Sequence, residues 1–213
     1  MTFRNKLFPA LLGALAIFTI ASSSLGGRAS ALSEVEASFC LVDSLAFEEG
    51  DILLRRGNSI VSSMIVRAFP EGRGMSHCGV LVRNGGNWEL IHSISGQISD
   101  EDGIRSEPLQ SFVKNAKDNE VLHVKPAFGV NRQRITHESR VLLASKLPFD
   151  HGFDLDTPDK LYCTELVRRV YLAAGAPDVF IYKRIGDRQL IDMASFFGGD
   201  YWRVSELQIP DLP

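Results

Sequence analysis

The chain has 213 residues, 45% of them hydrophobic, and a formal net charge of −3. No basic excess is present, so a nucleic-acid partner is not expected. Its three cysteines, Cys40, Cys78 and Cys163, cannot all pair within one chain, which leaves at least one thiol free.

The N-terminal stretch reads as a targeting segment. Arg4 and Lys6 precede an apolar run from Leu7 to Ile20, and Ala29-Ser30-Ala31 forms a small-x-small cleavage pattern. The run is shorter than the roughly 20 apolar residues of a membrane-spanning helix. Residues 1–31 are therefore expected to be a secretory signal peptide, with an uncleaved anchor as the alternative. The expected protein is exported, periplasmic or secreted after cleavage near Ala31. Residues 32–213 suit one domain, since domains commonly span about 100–200 residues. Cys40–Cys78 is one available disulfide pairing.

Glu34 to Phe47 reads as a helix or an irregular lead-in. The turn Glu48-Glu49-Gly50-Asp51 delivers a short apolar strand, Ile52-Leu53-Leu54. Ser59 to Phe69 has helical spacing, with Ile60, Met64, Ile65 and Ala68 on one face. Ser76 to Arg83 reads as a strand, Asn84-Gly85-Gly86-Asn87 as a hairpin turn, and Trp88 to Ile94 as the return strand. Gly96 to Gly103 reads as a loop, Pro108 to Val113 as a short helix and Glu120 to Lys125 as a strand. Asn131 to Lys146 is expected to be a helix, with Ile135, Val141, Leu142 and Ala144 among its apolar positions. After a turn-rich stretch from Pro148 to Asp159, a second amphipathic helix is expected, capped by Thr157 or Asp159 and stopped by Gly175 and Pro177. A short helix near Arg188 to Phe196 and a strand-like Tyr201 to Val204 close the chain. The sum is an α+β fold, an antiparallel sheet with helices packed on it.

The second amphipathic helix carries Cys163 close to its start. There the positive end of the helix dipole favours thiolate, the nucleophilic form. Nucleophilic cysteines need a base, and the base an orienting group. Alternation on a strand puts His77, Gly79 and Leu81 on one face and Cys78, Val80 and Val82 on the other, the expected core face. Counting outward from the hairpin, Arg83 faces Trp88, and His77 comes near Ile94 or, with a bulge, His92. Two imidazoles can then sit side by side on paired strands. His123 is expected in a core or edge strand and His137 on a solvated helix face, whereas His151 could line a cleft.

Gly50-Asp51-Ile52, Ser76-His77-Cys78-Gly79-Val80 and Leu161-Tyr162-Cys163-Thr164-Glu165-Leu166-Val167 resemble, in this order, the motifs of the permuted NlpC-type cysteine hydrolases, in particular the YiiX-like branch. Phe149-Asp150 and Phe153-Asp154 resemble that branch's approach to the cysteine. The resemblance covers roughly Glu49 to Ala174. It implies a circularly permuted papain-like fold, with Cys163 as nucleophile, His77 as general base and His92 in the third, orienting position. Tyr162 and His151 are candidates for the substrate or oxyanion pocket, and Asp51 for a turn cap. The implied reaction is cleavage of a peptide or N-acyl amide through a thioester, in cell-wall peptides or lipid-like substrates, with no cofactor; a lipid acyl hydrolase or acyltransferase of the same fold is the alternative. Two other classes compete. One is a metal site built from His77, His92 and Cys163. The other is a non-catalytic binding module of the same fold.

Overall fold

The computed structural model describes residues 47–207. The expected signal segment, Cys40 and the expected helix or irregular lead-in up to residue 46 lie outside the described residues. Among these residues, a six-stranded antiparallel sheet has the order β4-β3-β2-β1-β5-β8, and two further strands form a separate ribbon, β6-β7. The strands are β1 (Ile52–Arg55), β2 (His77–Asn84), β3 (Asn87–Ile94), β4 (Gly103–Pro108), β5 (Val121–Pro126), β6 (Tyr182–Ile185), β7 (Arg188–Ile191) and β8 (Trp202–Glu206). The helices are α1 (Ile60–Ala68), α2 (Leu109–Lys114), α3 (Arg132–Ser145) and α4 (Cys163–Ala173).

The sheet is covered on both faces, which explains the unbroken burial of β1. One face takes Ile52, Leu54, Cys78, Val80, Ile91 and Val124 into a core shared with Leu166, Val167, Val170 and Tyr171 of α4 and with Ile135 and Leu142 of α3. The opposite face carries Arg55, His77 and His92 against Phe112 of α2. The hairpin register is as expected: Arg83 pairs with Trp88, and Gly85 and Gly86 both have positive φ in the two-residue turn. Asp51 caps its turn by accepting from Glu48 N at 3.0 Å, and bonds His123 Nε2 at 2.7 Å and Arg132 Nη1 at 2.8 Å. Burial would raise its carboxyl, but these partners hold it below the ordinary range.

Four expectations are corrected. The stretch from Gly103 to Pro108 is an edge strand rather than loop and helix start. Arg188–Ile191 is a strand paired with Tyr182–Ile185, and only a 3-10 turn at Met193–Phe197 follows. Helix α1 is turned over: Ser62 is its buried residue, while Ile60 and Met64 are 82% and 62% exposed. Its polar side is drawn inward because Ser62 Oγ bonds Ser59 Oγ and sits over Gly57, where any Cβ would collide with it. Finally, α4 begins at Cys163 itself, with Tyr162 at the N-cap position; Thr157 and Asp159 lie in the preceding turns.

That late start has a local cause. Leu161 N donates to Pro148 O, and Leu161 O accepts from Asp150 N and from Ser93 Oγ on β3. Leu161 is thus held extended against Phe149. Asp150, itself buried, holds the loop by accepting from Gly152 N, Asp154 N and Thr157 Oγ1. At the other end, Gly175 N and Ala176 N bond Leu172 O and Tyr171 O, closing α4 with a Schellman motif.

Glu165, in the first turn of α4, has its carboxyl pushed up to about 8, chiefly by burial, with Asp150 adding to the shift. The folded state therefore binds a proton that the unfolded chain releases near about 4.3. Stability contributed by this group is present at low pH and is lost as pH rises between those values, by about 1 kcal/mol per unit. Above about pH 6.5, where ordinary histidines no longer take up protons, thermal melts of the protein are expected to fall toward pH 8, and Glu165→Gln is expected to flatten that fall.

Candidate active site

His77 opens β2 and Cys163 opens α4. His77 and the core that α4 packs into lie on opposite faces of the sheet, yet His77 and Cys163 both line one cavity of about 530 Å³. Being first residues, neither is screened from the other by a further turn of its own element. Arg55, Glu107, Phe149 and Phe153 also line this cavity.

His77 Nε2 lies 2.7 Å from His92 Nδ1, with ring centroids 4.9 Å apart. No bulge is needed. The β2–β3 register places His92 opposite Gly79, diagonal to His77. A Cβ at Gly79 would stand 3.1 Å from His92 Cβ, so the space left by glycine is the space His92 uses. Both rings are buried, His92 fully. Burial first, then the positive charges of Arg55 and Arg105, holds both imidazoles well below the usual histidine range; His92 adds to this at His77. Both rings are therefore neutral at pH 7.

Cys163 is drawn below the ordinary thiol range. The Cys78 side chain is the largest cause, and the N–H groups of Cys78, Thr164 and Cys163 itself outweigh the opposing effect of burial. Cys78, one residue past His77 and facing α4, is pushed up, first by burial and then by Cys163. Both are free thiols. A thiol biased toward thiolate at a helix start, in a cavity shared with a neutral imidazole, has the components of nucleophilic acyl transfer.

Glu107 and Arg55 were not singled out from the sequence. Glu107 Oε2 lies 3.4 Å from His92 Nε2 and 3.2 Å from Arg55 Nη1, all deeply buried. Arg55 also donates to Phe112 O at 2.9 Å, and its guanidinium lies 4.2 Å from the Phe112 ring centre. In the sequence, Glu107 fell in a stretch without strand signals, and Arg55 at the polar end of an apolar run.

Of the remaining candidates, Tyr162 lines a small pocket with Cys163 and Phe153, and the histidines stand apart from the cavity. The Tyr162 hydroxyl accepts from Ile191 N at 2.8 Å, which ties the start of α4 to β7. Tyr162 is 2% exposed and packs on Phe153. His151 is half-exposed, contacts Asp102 at 3.3 Å, and does not line the cavity of Cys163. His123 is buried against Asp51, and His137 is exposed.

Alkylation of Cys163 by iodoacetamide, followed by mass spectrometry of its peptide, should have a midpoint below the roughly 8.5 of an ordinary thiol. In Cys78→Ala that midpoint should rise, because the largest cause of the lowered value is removed.

Comparison with known proteins bears on the fold and the family. No curated protein matches the chain. Among solved structures, the chain is similar to the crystal structure described as metalloprotein yiiX from Escherichia coli O157:H7. The two share 16% identity and a TM-score of 0.65 over 76% of this chain and 98% of that one, a likeness of fold. Among the described residues, no group of three or more His, Cys, Asp or Glu side chains is placed to hold a metal ion. The family of permuted papain-like amidase enzymes, YaeF/YiiX, C92 family, matches residues 46–195. With that span covering most of its length, the chain belongs to this family of permuted papain-like cysteine amidases.

Proposed function

We propose that the protein is an exported hydrolase of peptide or N-acyl amides, with cell-wall peptides as its expected substrates, acting through a Cys163 thioester. The observation that carries this reading is the cavity shared by a helix-start cysteine and a buried histidine whose far nitrogen is already bonded to a second histidine. With His77 Nε2 engaged by His92, Nδ1 is the nitrogen left for the sulfur.

In the proposed reaction His77 Nδ1 takes the Cys163 proton as the sulfur attacks the amide carbonyl. The negative charge gathers on the carbonyl oxygen, where the Cys163 N–H and the start of α4 can stabilise it. The C–N bond breaks, His77 gives its proton to the departing nitrogen, and a thioester remains. His77 then takes a proton from water, hydroxide adds to the thioester, and collapse releases the acid while the proton returns to sulfur. Because burial disfavours the imidazolium, His77 acts as a base during attack rather than as half of a standing ion pair. His92 holds the ring.

One observation favours a second reading, a lipid-like acyl substrate. The cavity wall includes Val61, Ile65 and Ile98, and beside it α1 exposes Ile60 and Met64. A family of amide substrates graded from cell-wall peptides to long-chain N-acyl amides separates the two, through which end of the series gives the higher kcat/KM.

Cys163→Ala and His77→Ala are each expected to abolish turnover within detection, and His92→Ala to lower kcat by about 10²–10⁴-fold, the range of general-base assistance. The acid limb of kcat/KM reports the free base. Since His77 is depressed, that limb is expected below about 6.5, the value of an ordinary histidine. A limb at or above 6.5 would contradict a buried neutral base.

A further inference from the structure

We infer that Glu107 is a positioning residue that sets which nitrogen of His77 and of His92 carries the proton. The inference rests on His77 as the proposed base and adds what fixes its working tautomer.

The argument is a count of donors and acceptors. Glu107 Oε1 accepts from Asn115 Nδ2 at 2.9 Å. Glu107 Oε2 accepts from Arg55 Nη1 at 3.2 Å. Paired with a guanidinium, the group is a carboxylate, which only accepts. His92 Nε2 is fully buried, has no aligned partner, and faces that same Oε2 at 3.4 Å. A bare nitrogen lone pair there would oppose a carboxylate lone pair, so the His92 proton belongs on Nε2. His92 is neutral, so its Nδ1 is then the acceptor. The contact of 2.7 Å between that Nδ1 and His77 Nε2 needs one donor, which must be His77 Nε2–H. His77 is neutral as well, so its Nδ1 holds the free lone pair. One carboxylate thus propagates through two rings and leaves a proton acceptor at the only His77 nitrogen not bonded to His92. When His77 takes a proton on Nδ1, neither ring has to turn, because Nε2 donates to His92 in both states. The second-layer ion pair of Arg55 and Glu107 keeps this carboxylate from rotating away, with Asn115 holding its other oxygen.

The tautomers can be read without substrate. Two-bond ¹H–¹⁵N correlation spectra of the ¹⁵N-histidine-labelled protein at pH 7, assigned with His77→Gln and His92→Gln, distinguish a protonated ring nitrogen from a bare one. The expected result is Nε2–H on both rings. In Glu107→Gln the side-chain amide can also donate, so a second population with His92 protonated on Nδ1 and His77 on Nδ1 is expected. kcat should then fall in proportion to the share of molecules that keep a bare His77 Nδ1, about twofold where the two populations are equal, because general-base assistance is withdrawn only from the mis-set fraction. A wild-type spectrum with His77 protonated on Nδ1 would overturn the inference, and so would an unchanged spectrum in folded Glu107→Gln. If Glu107→Gln does not fold, the wild-type spectrum alone decides. Either failure leaves Cys163 as the proposed nucleophile untouched, since that stands or falls with Cys163→Ala.

Discussion

A hydrogen bond of 2.7 Å between two buried imidazoles forms on this sheet because residue 79 has no side chain. Strand pairing puts His92 over Gly79, and a Cβ there would stand 3.1 Å from His92 Cβ and 3.2 Å from Leu90 Cδ2, closer than such atoms usually pack. Everything else at the site follows from that placement. His77 is anchored by one nitrogen and turned toward the end of β2, and α4 brings Cys163 to the same end from the other face of the sheet. The loop before α4 fixes the meeting point. Its extended Leu161, clamped between β3 and the Pro148–Asp150 segment, delays the helix until the cysteine itself.

The electrostatics of the site are set by burial more than by pairing. Two imidazoles in a dry environment, within reach of the Arg55 and Arg105 cations, resist protonation. Arg55 is itself buried and is balanced by Glu107, so the cationic field is held in place rather than free to swing toward solvent. The thiol is biased the other way, by hydrogen-bond donors at the helix start and by Cys78. A neutral base sharing a cavity with an acidified thiol suits proton transfer concerted with attack.

Much of this was legible in the sequence. The Asn84–Asn87 turn gave the pairing of Arg83 with Trp88, whereas the contact of His77 with His92, expected only with a bulge, forms diagonally across the ladder. The apolar run of β1, the Asn131 cap of α3 and the Gly175 stop of α4 all acted through local chemistry that a single sequence displays. What escaped was decided by tertiary context. β4 is short and polar because it is an edge strand whose Arg105 and Glu107 face a charged buried layer, so neither alternation nor apolarity marks it. α1 has helical spacing, but hydroxyl contacts at Ser59, Ser62 and Gly57 decide which side turns inward, and these reverse the apolar rule. β7 pairs only with β6, so its strand identity depends on a partner rather than on its own residues. Glu107 joins His92 across the β3–β4 ladder, a contact that no count along the chain would have reached.

The central claim is that the Cys163 sulfur and His77 act on one substrate carbonyl. A crystal structure of the protein with an acyl-amino aldehyde bound reversibly to a cysteine tests it most directly. The account predicts a hemithioacetal on Cys163, its oxygen at the N–H groups that open α4, and His77 Nδ1 within about 3.2 Å of the adduct. Adduct formation on Cys78 instead, or on Cys163 with the His77 ring directed away from it, would contradict the account.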